Sequence, residues 1–335
     1  MFEDIRSVAA AARAERVVEA KFRSQPKVRE WPMTMVLGLL LLGLAFELQK
    51  GGSLTLGIGL ASVSWILAEF ATRLLRLGLP SIPLLLGFFA GSQFINLATL
   101  NETVTRVTEQ RVAIAPGIDN YAALNVASVT LPTVIFLALY YWRFRVPLTI
   151  AVGVGYLLFG SLCLGLFFFE GAFVTWMEPL SWAGGVAVLG LAIRIDLSDR
   201  FRTTTRSEIA FWLYVLAAFI ILNPIVGEFG KMTAMPALPS QAGLLGVLAA
   251  LAICGLLIDR RILILGGALY SGLSLTYLAV KSELSGFGIP FVVLLTLFCI
   301  LGLALYWRPL RQWLVLASPF RNLQHKLPPL TLESP

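Results

Sequence analysis

Residues 143–169 read RFRVPLTIAVGVGYLLFGSLCLGLFFF. Two arginines open the stretch, and the 24 residues from Val146 to Phe169 carry no charge. About 20 apolar residues in a helix cross a ~30 Å hydrocarbon core. A segment in lipid must satisfy its own backbone hydrogen bonds, so a run this long implies a helix. Arginines beside a span mark its cytoplasmic end.

The same pattern recurs along the chain. Apolar runs fall at Met33–Leu48, Leu54–Phe70, Ile82–Leu100, Tyr121–Trp142 and Val146–Phe169, then at Pro179–Ile195, Ile209–Val226, Gln241–Ile258, Ile262–Val280 and Ile289–Trp307. The first is short and reaches full length by taking in Trp31 and Pro32 or by running on to Lys50. Read as ten spans, they place 21 of the 26 Lys and Arg residues on one face. These are the seven of the amino-terminal segment, then Arg73, Arg76, Arg143, Arg145, Arg194, Arg200, Arg202, Arg206, Arg260 and Arg261, and Arg308, Arg311, Arg321 and Lys326 of the tail. Lys50, Arg106, Arg111, Lys231 and Lys281 remain on the other. A miscounted span would scramble this alternation, so the asymmetry predicts ten spans with both termini in the cytoplasm.

Composition agrees. The chain is 58% hydrophobic and 13% charged, with a mean hydropathy of +0.82; a water-soluble domain carries about 25% charged residues. The net charge of +7 is spread over several short segments, which fits a topogenic signal and argues against nucleic acid as a partner. Residues 1–30 are charged throughout, so no cleavable leader is expected. Cys163, Cys254 and Cys299 sit inside apolar runs without CxxC spacing and read as packing residues.

The expected organisation is a cytoplasmic amphipathic segment (1–32), a ten-helix membrane domain (33–307) and a cytoplasmic tail (308–335) that ends mobile. In the first, Phe2, Ile5, Ala9 and Ala12 recur at helical spacing, as in an interfacial helix; a solvated helix or a loosely ordered tail is the competing reading. Two prolines within Ser24–Pro32 are expected to break that helix before the first span. Residues 101–120 can form a short surface helix outside, residues 196–208 an inner loop, and Ser207 is placed to cap the seventh span. Glu178 before Pro179 suits the start of the sixth. The spans divide into halves at 33–169 and 179–307. Five spans per half would invert the second relative to the first, a plan common in transporters. Residues 69–87 and 228–246 share 8 of 19 positions without a gap, a faint echo of such a duplication.

Chemistry is narrowly bounded. The one histidine, His325, is in the tail, so histidine-based metal, haem and hydrolytic centres are not expected. No phosphate-binding or dinucleotide motif follows a strand. No enzymatic activity, metal or cofactor is predicted. Gly184–Gly185 and Gly266–Gly267 read as close helix contacts. Ionisable residues inside spans are costly and mark function, which singles out Glu69; an i,i+4 pair with Arg73 is its simpler explanation. Glu47, Glu170, Glu178 and Glu228 fall at outer span ends. Gln93 and Asn96 share a face of the third span, Asn125, Ser128 and Pro132 follow on the fourth, and Asn223–Pro224 interrupts the seventh. Glu69, Gln93, Asn96, Asn125 and Asn223 are therefore the candidate lining of a polar cavity, with plain interhelical hydrogen bonding as the alternative. Arg200, Arg202 and Arg206, beside three threonines and an aromatic pair, are candidates for anionic lipid headgroups.

Four stretches carry a resemblance. They are Trp65–Phe70 leading to Leu79–Ile82; Arg202–Leu213 continuing to Asn223–Pro224; Asp259–Arg261; and Trp307–Arg311 followed by Leu327–Pro329. In order and spacing, over about residues 60–330, they resemble a family of uncharacterised multi-pass inner-membrane proteins of proteobacteria. That family's pattern has Asp at Glu208, histidines near Tyr214 and Asn223, and a Gly-Phe-Asn-Asp-type stretch before the first span. This chain departs at each, so a histidine-based proton function is not implied for it.

The resemblance implies no activity. Ten helices in two fives are similar in plan to drug/metabolite-type carriers, and a plan does not fix a function. Two readings stand: a secondary carrier or lipid-interacting exporter of a small solute, or a non-transporting accessory or scaffold subunit bound to another membrane protein. Membrane lipids are partners in both.

Overall fold

The computed structural model describes residues 30–75, 77–114, 121–199, 204–231, 250–260 and 305–316, with single positions at 263, 291, 294, 295, 298 and 302. Side chains at 101–114, 121–123, 125, 170–175, 178 and 223–231 lie outside the description. All regular structure among the described residues is helical. The helices are α1 (Glu30–Leu48), α2 (Ser53–Ala68), α3 (Ser81–Ile114), α4 (Tyr121–Phe144), α5 (Leu148–Ser198), α6 (Thr205–Lys231) and α7 (Trp307–Leu316). Residues 250–258 are also helical. Seven segments are long and apolar enough to cross a membrane: one each in α1, α2, α3, α4 and α6, and two in α5.

The first apolar run lengthens in both directions. α1 begins at Glu30, taking in Trp31 and Pro32, and ends in a 3₁₀ turn over Gln49–Gly51. Pro32 does not break the helix, because in the first turn its missing N–H has no helical partner to lose. Gly52 then adopts φ 92°, a left-handed conformation that glycine takes without a Cβ clash, and the chain reverses into α2. α2 ends in a π-helical turn, Glu69–Leu74.

Other boundaries differ from the expectations. Residues 101–114 are no separate surface helix but the continuation of α3. Residues 170–178, expected as an outer connection, stay helical, so α5 runs unbroken for 51 residues. Pro179 lies inside that helix rather than at a helix start. The connection expected over 196–208 is shorter, since α5 runs to Ser198 and α6 begins at Thr205. Thr204, not Ser207, caps α6: its Oγ1 accepts the Arg206 N–H at 3.3 Å. α6 also continues through Asn223–Pro224 to Lys231. The echo's second copy, 228–246, lies mostly outside the described residues, as do most of the last three apolar runs.

The chain forms two compact units, residues 1–177 with 203–208, and residues 178–202 with 209–335. In the first, α2 lies along α3, with α1 and α4 also against α3. Gly57 and Gly91 allow the approach of α2 and α3. A Cβ at Gly91 would stand 2.5 Å from the Ala61 nitrogen and 2.8 Å from the Gly57 carbonyl oxygen. Small residues at helix crossings are the usual device in lipid, where apolar burial drives little. At one end of the bundle, Trp65, Phe88, Tyr140 and Phe144 form an aromatic layer with ring centroids 4.6–6.0 Å apart. α1 buries only Glu30, Leu37 and Leu41, while Met35, Leu39, Leu42 and Phe46 are all more than 60% exposed. In the second unit, Gly185 packs against Ile221 of α6. Gly266–Gly267 lies outside the described residues.

Candidate functional site

α3 places Gln93 and Asn96 one turn apart on the face that meets α4. There the Thr133 hydroxyl, wholly buried, accepts N–H groups from Gln93 Nε2 and Asn96 Nδ2, each at 2.9 Å. It donates to the Val129 carbonyl at 2.7 Å. One donor and two lone pairs are all a hydroxyl has, so Thr133 is saturated. α5 adds Tyr156, whose OH donates to Gln93 Oε1 at 2.6 Å; its ring meets Phe89 edge-on at 5.4 Å. Four uncharged polar side chains from three helices thus form one network. Interhelical hydrogen bonds of this kind specify register, because each is made in only one packing of the helices.

The sequence anticipated Gln93 and Asn96 and missed their partners. Thr133 directly follows Pro132, and Tyr156 is the one tyrosine of its apolar run. Asn125 lies on α4 two turns before Thr133, and Asn223 on α6 of the second unit; both side chains lie outside the description.

Glu69 stands apart from this network. Its carboxylate sits in the π turn and accepts Arg143 Nε at 2.6 Å and Arg73 Nη1 at 3.4 Å. The expected i,i+4 partner is present at 3.4 Å, and a closer one comes from α4. Ten residues separate Thr133 from Arg143, about 15 Å along a helix, and the aromatic layer lies between. Glu30 at the start of α1 is 7% exposed. It accepts the backbone N–H groups of Gly78 and Leu79 at 3.1 and 3.0 Å, just before α3 begins.

The second unit contains a matching charge cluster. Asp196, near the end of α5, holds the Arg260 guanidinium in a two-pronged pair with Nε and Nη2, and both side chains are largely buried. The guanidinium also lies 5.9 Å from the Tyr214 ring centre. Asp259 closes the helix at 250–258 with φ 61°, and Arg260 N–H returns to the Gly255 carbonyl at 2.8 Å, a left-handed helix ending. Its carboxylate accepts Trp307 Nε1 at 2.7 Å and lies 3.7 Å from Arg311 Nη1. Burial pulls the Arg311 guanidinium down from its ordinary pKa, and the Asp259 charge opposes that pull. Residues 307–316, which lead from the last apolar run into the tail, are therefore docked on the helix at 250–258. Arg206 is exposed at the start of α6; Arg200 and Arg202 lie outside the described residues.

No family model matches this chain, and neither a curated protein nor a solved structure matches it.

Proposed function

We propose that this is a ten-span protein of a bacterial inner membrane with both termini in the cytoplasm. Four contacts support the reading. Glu30 reaches Gly78 and Leu79, Glu69 reaches Arg143, Asp196 reaches Arg260, and Asp259 reaches Trp307 and Arg311. In the ten-span order each contact joins points separated by two crossings, which leaves both partners on one side. That side is the one carrying the excess of Lys and Arg. The resemblance to proteobacterial inner-membrane proteins fits the same plan.

Within that plan the protein acts as a secondary carrier of a small, weakly polar, uncharged solute. The observation that carries this is the network of Gln93, Asn96, Thr133 and Tyr156. Amides and hydroxyls without a charge, converging between spans, suit hydrogen bonding to a neutral solute and not the binding of an ion. Comparing small-molecule contents of cells and medium for the wild type, a deletion and Gln93→Leu tests it. The carrier reading requires the deletion and Gln93→Leu to shift the same solute.

The second reading, a scaffold, draws on α1, of whose span only 11% is buried. A partner helix seated there would make the protein a subunit of a larger membrane complex. In that case Gln93→Leu restores the deletion, and substitution of Leu39 and Leu42 does not.

A further inference from the structure

α7 (Trp307–Leu316) has three faces. Trp307, Arg311 and Val315 are 3%, 5% and 1% exposed, and Trp307 and half-buried Leu314 pack with Leu256 and Ala252 of the helix at 250–258. Asp259 fixes this face through Trp307 Nε1 and Arg311. On one flank Leu310 and Trp313 are exposed, Trp313 by 71%, in line with exposed Tyr306 just before the helix. On the other flank Arg308 and Gln312, one turn apart, are exposed.

The apolar flank continues a longer surface. Phe291, Leu294, Leu295, Phe298 and Leu305 of the tenth apolar run are helical and exposed, at spacings that keep them near one face. A bend at Tyr306 separates that run from α7, and the apolar stripe passes across the bend from Leu305 and Tyr306 to Leu310 and Trp313. Tyrosine and tryptophan with an apolar body and a polar tip concentrate where hydrocarbon meets headgroups.

We infer that α7 is an interfacial helix: Tyr306, Leu310 and Trp313 enter the boundary between acyl chains and headgroups, and Arg308 meets the acidic headgroups. Helices of this composition, with aromatic and aliphatic residues on one flank and a basic, polar opposite flank, lie in the interface plane. The exposed stripe continues the lipid-facing surface of the last span, and this selects lipid as its occupant. Asp259 then acts as a clasp, holding the helix at the depth set by the end of residues 250–258. The leaflet follows the topology proposed above; the lipid contact itself does not depend on it.

Spin labels test this in the full chain, with Cys163, Cys254 and Cys299 replaced by alanine, in nanodiscs of phosphatidylethanolamine and phosphatidylglycerol. A label at Trp313→Cys should relax more with oxygen than with a water-soluble nickel chelate, and one at Gln312→Cys should show the reverse. Dominant nickel relaxation at both positions overturns the inference. So does protection of position 313 from both reagents, which would mean that protein covers the stripe. With the native cysteines kept, brominated phospholipid should quench part of the emission of the 8 tryptophans, and Trp313→Phe should reduce the quenched fraction. An unchanged fraction overturns the inference independently of the cysteine substitutions.

Discussion

Arg143 Nε donates to Glu69 Oε1 at 2.6 Å, which ties the end of α4 to the π turn that ends α2. The two residues lie 74 positions apart, and their side chains are 35% and 27% exposed. Partly solvated pairs contribute about 1 kcal/mol or less. Glu69→Gln, Arg143→Gln and the double variant should therefore give a coupling energy of about 0.2–1 kcal/mol in thermal or denaturant unfolding. A coupling indistinguishable from zero would show that the contact leaves stability unchanged.

Thr133→Val keeps the side-chain shape and removes the acceptor of two amide N–H groups. Interhelical hydrogen bonds between spans average roughly 0.6 kcal/mol each, and a buried donor left unmatched costs about 1–3 kcal/mol. The variant should lose about 1–3 kcal/mol by unfolding in detergent, and Thr133→Ser should recover most of it. A Thr133→Val variant as stable as the wild type would show that the two amide contacts leave stability unchanged.

Gly91 faces the backbone of Gly57 and Ala61, so Gly91→Val must push α2 from α3. Overpacking of this kind costs about 1–3 kcal/mol. Gly38 and Gly43 on α1 have nothing within 4 Å of an added Cβ, and the same substitution there should leave unfolding nearly unchanged. Parallel unfolding curves of the three variants decide the point.

Asp196 is 2% exposed in its side chain and Arg260 12%. Removing one partner of a buried pair strands the other and costs about 3–5 kcal/mol. Asp196→Ala should therefore be far more damaging than Glu69→Gln, and Asp196→Ala with Arg260→Leu should recover part of the loss. A double variant no more stable than the single one would contradict this.

Hydropathy located the first seven apolar runs, because it reports where a chain can lie in lipid. It did not report where helices end. Residues 101–114 and 170–178 are polar enough to leave a membrane yet remain helical, since backbone hydrogen bonding continues whatever the solvent. The cap of α6 moved from Ser207 to Thr204 because both hydroxyls precede the apolar run, and only the backbone geometry at Thr204 aims one at a free N–H. The site was half legible. Gln93 and Asn96 share a face by helical spacing, but Thr133 and Tyr156 join them across 40 and 63 residues, a distance over which periodicity carries no information. Asp196 read as a loop residue for the same reason: its partner Arg260 lies 64 residues away.

The account rests on the ten crossings, and α5 tests them most sharply. Its 51 residues hold two apolar segments, Leu148–Phe169 and Pro179–Ser198, each long enough to cross a ~30 Å core. Two crossings require the chain to reverse over residues 170–178, whereas one continuous helix crosses once. Reporter fusions after Arg145 and after Arg206 bracket it, with fusions near Arg111 and Lys231 as references for the outer side. Two crossings within residues 148–198 put both bracketing fusions in the cytoplasm and both references outside. A cytoplasmic signal after Arg145 with an external one after Arg206 would mean that α5 crosses once, and the ten-span order would be wrong.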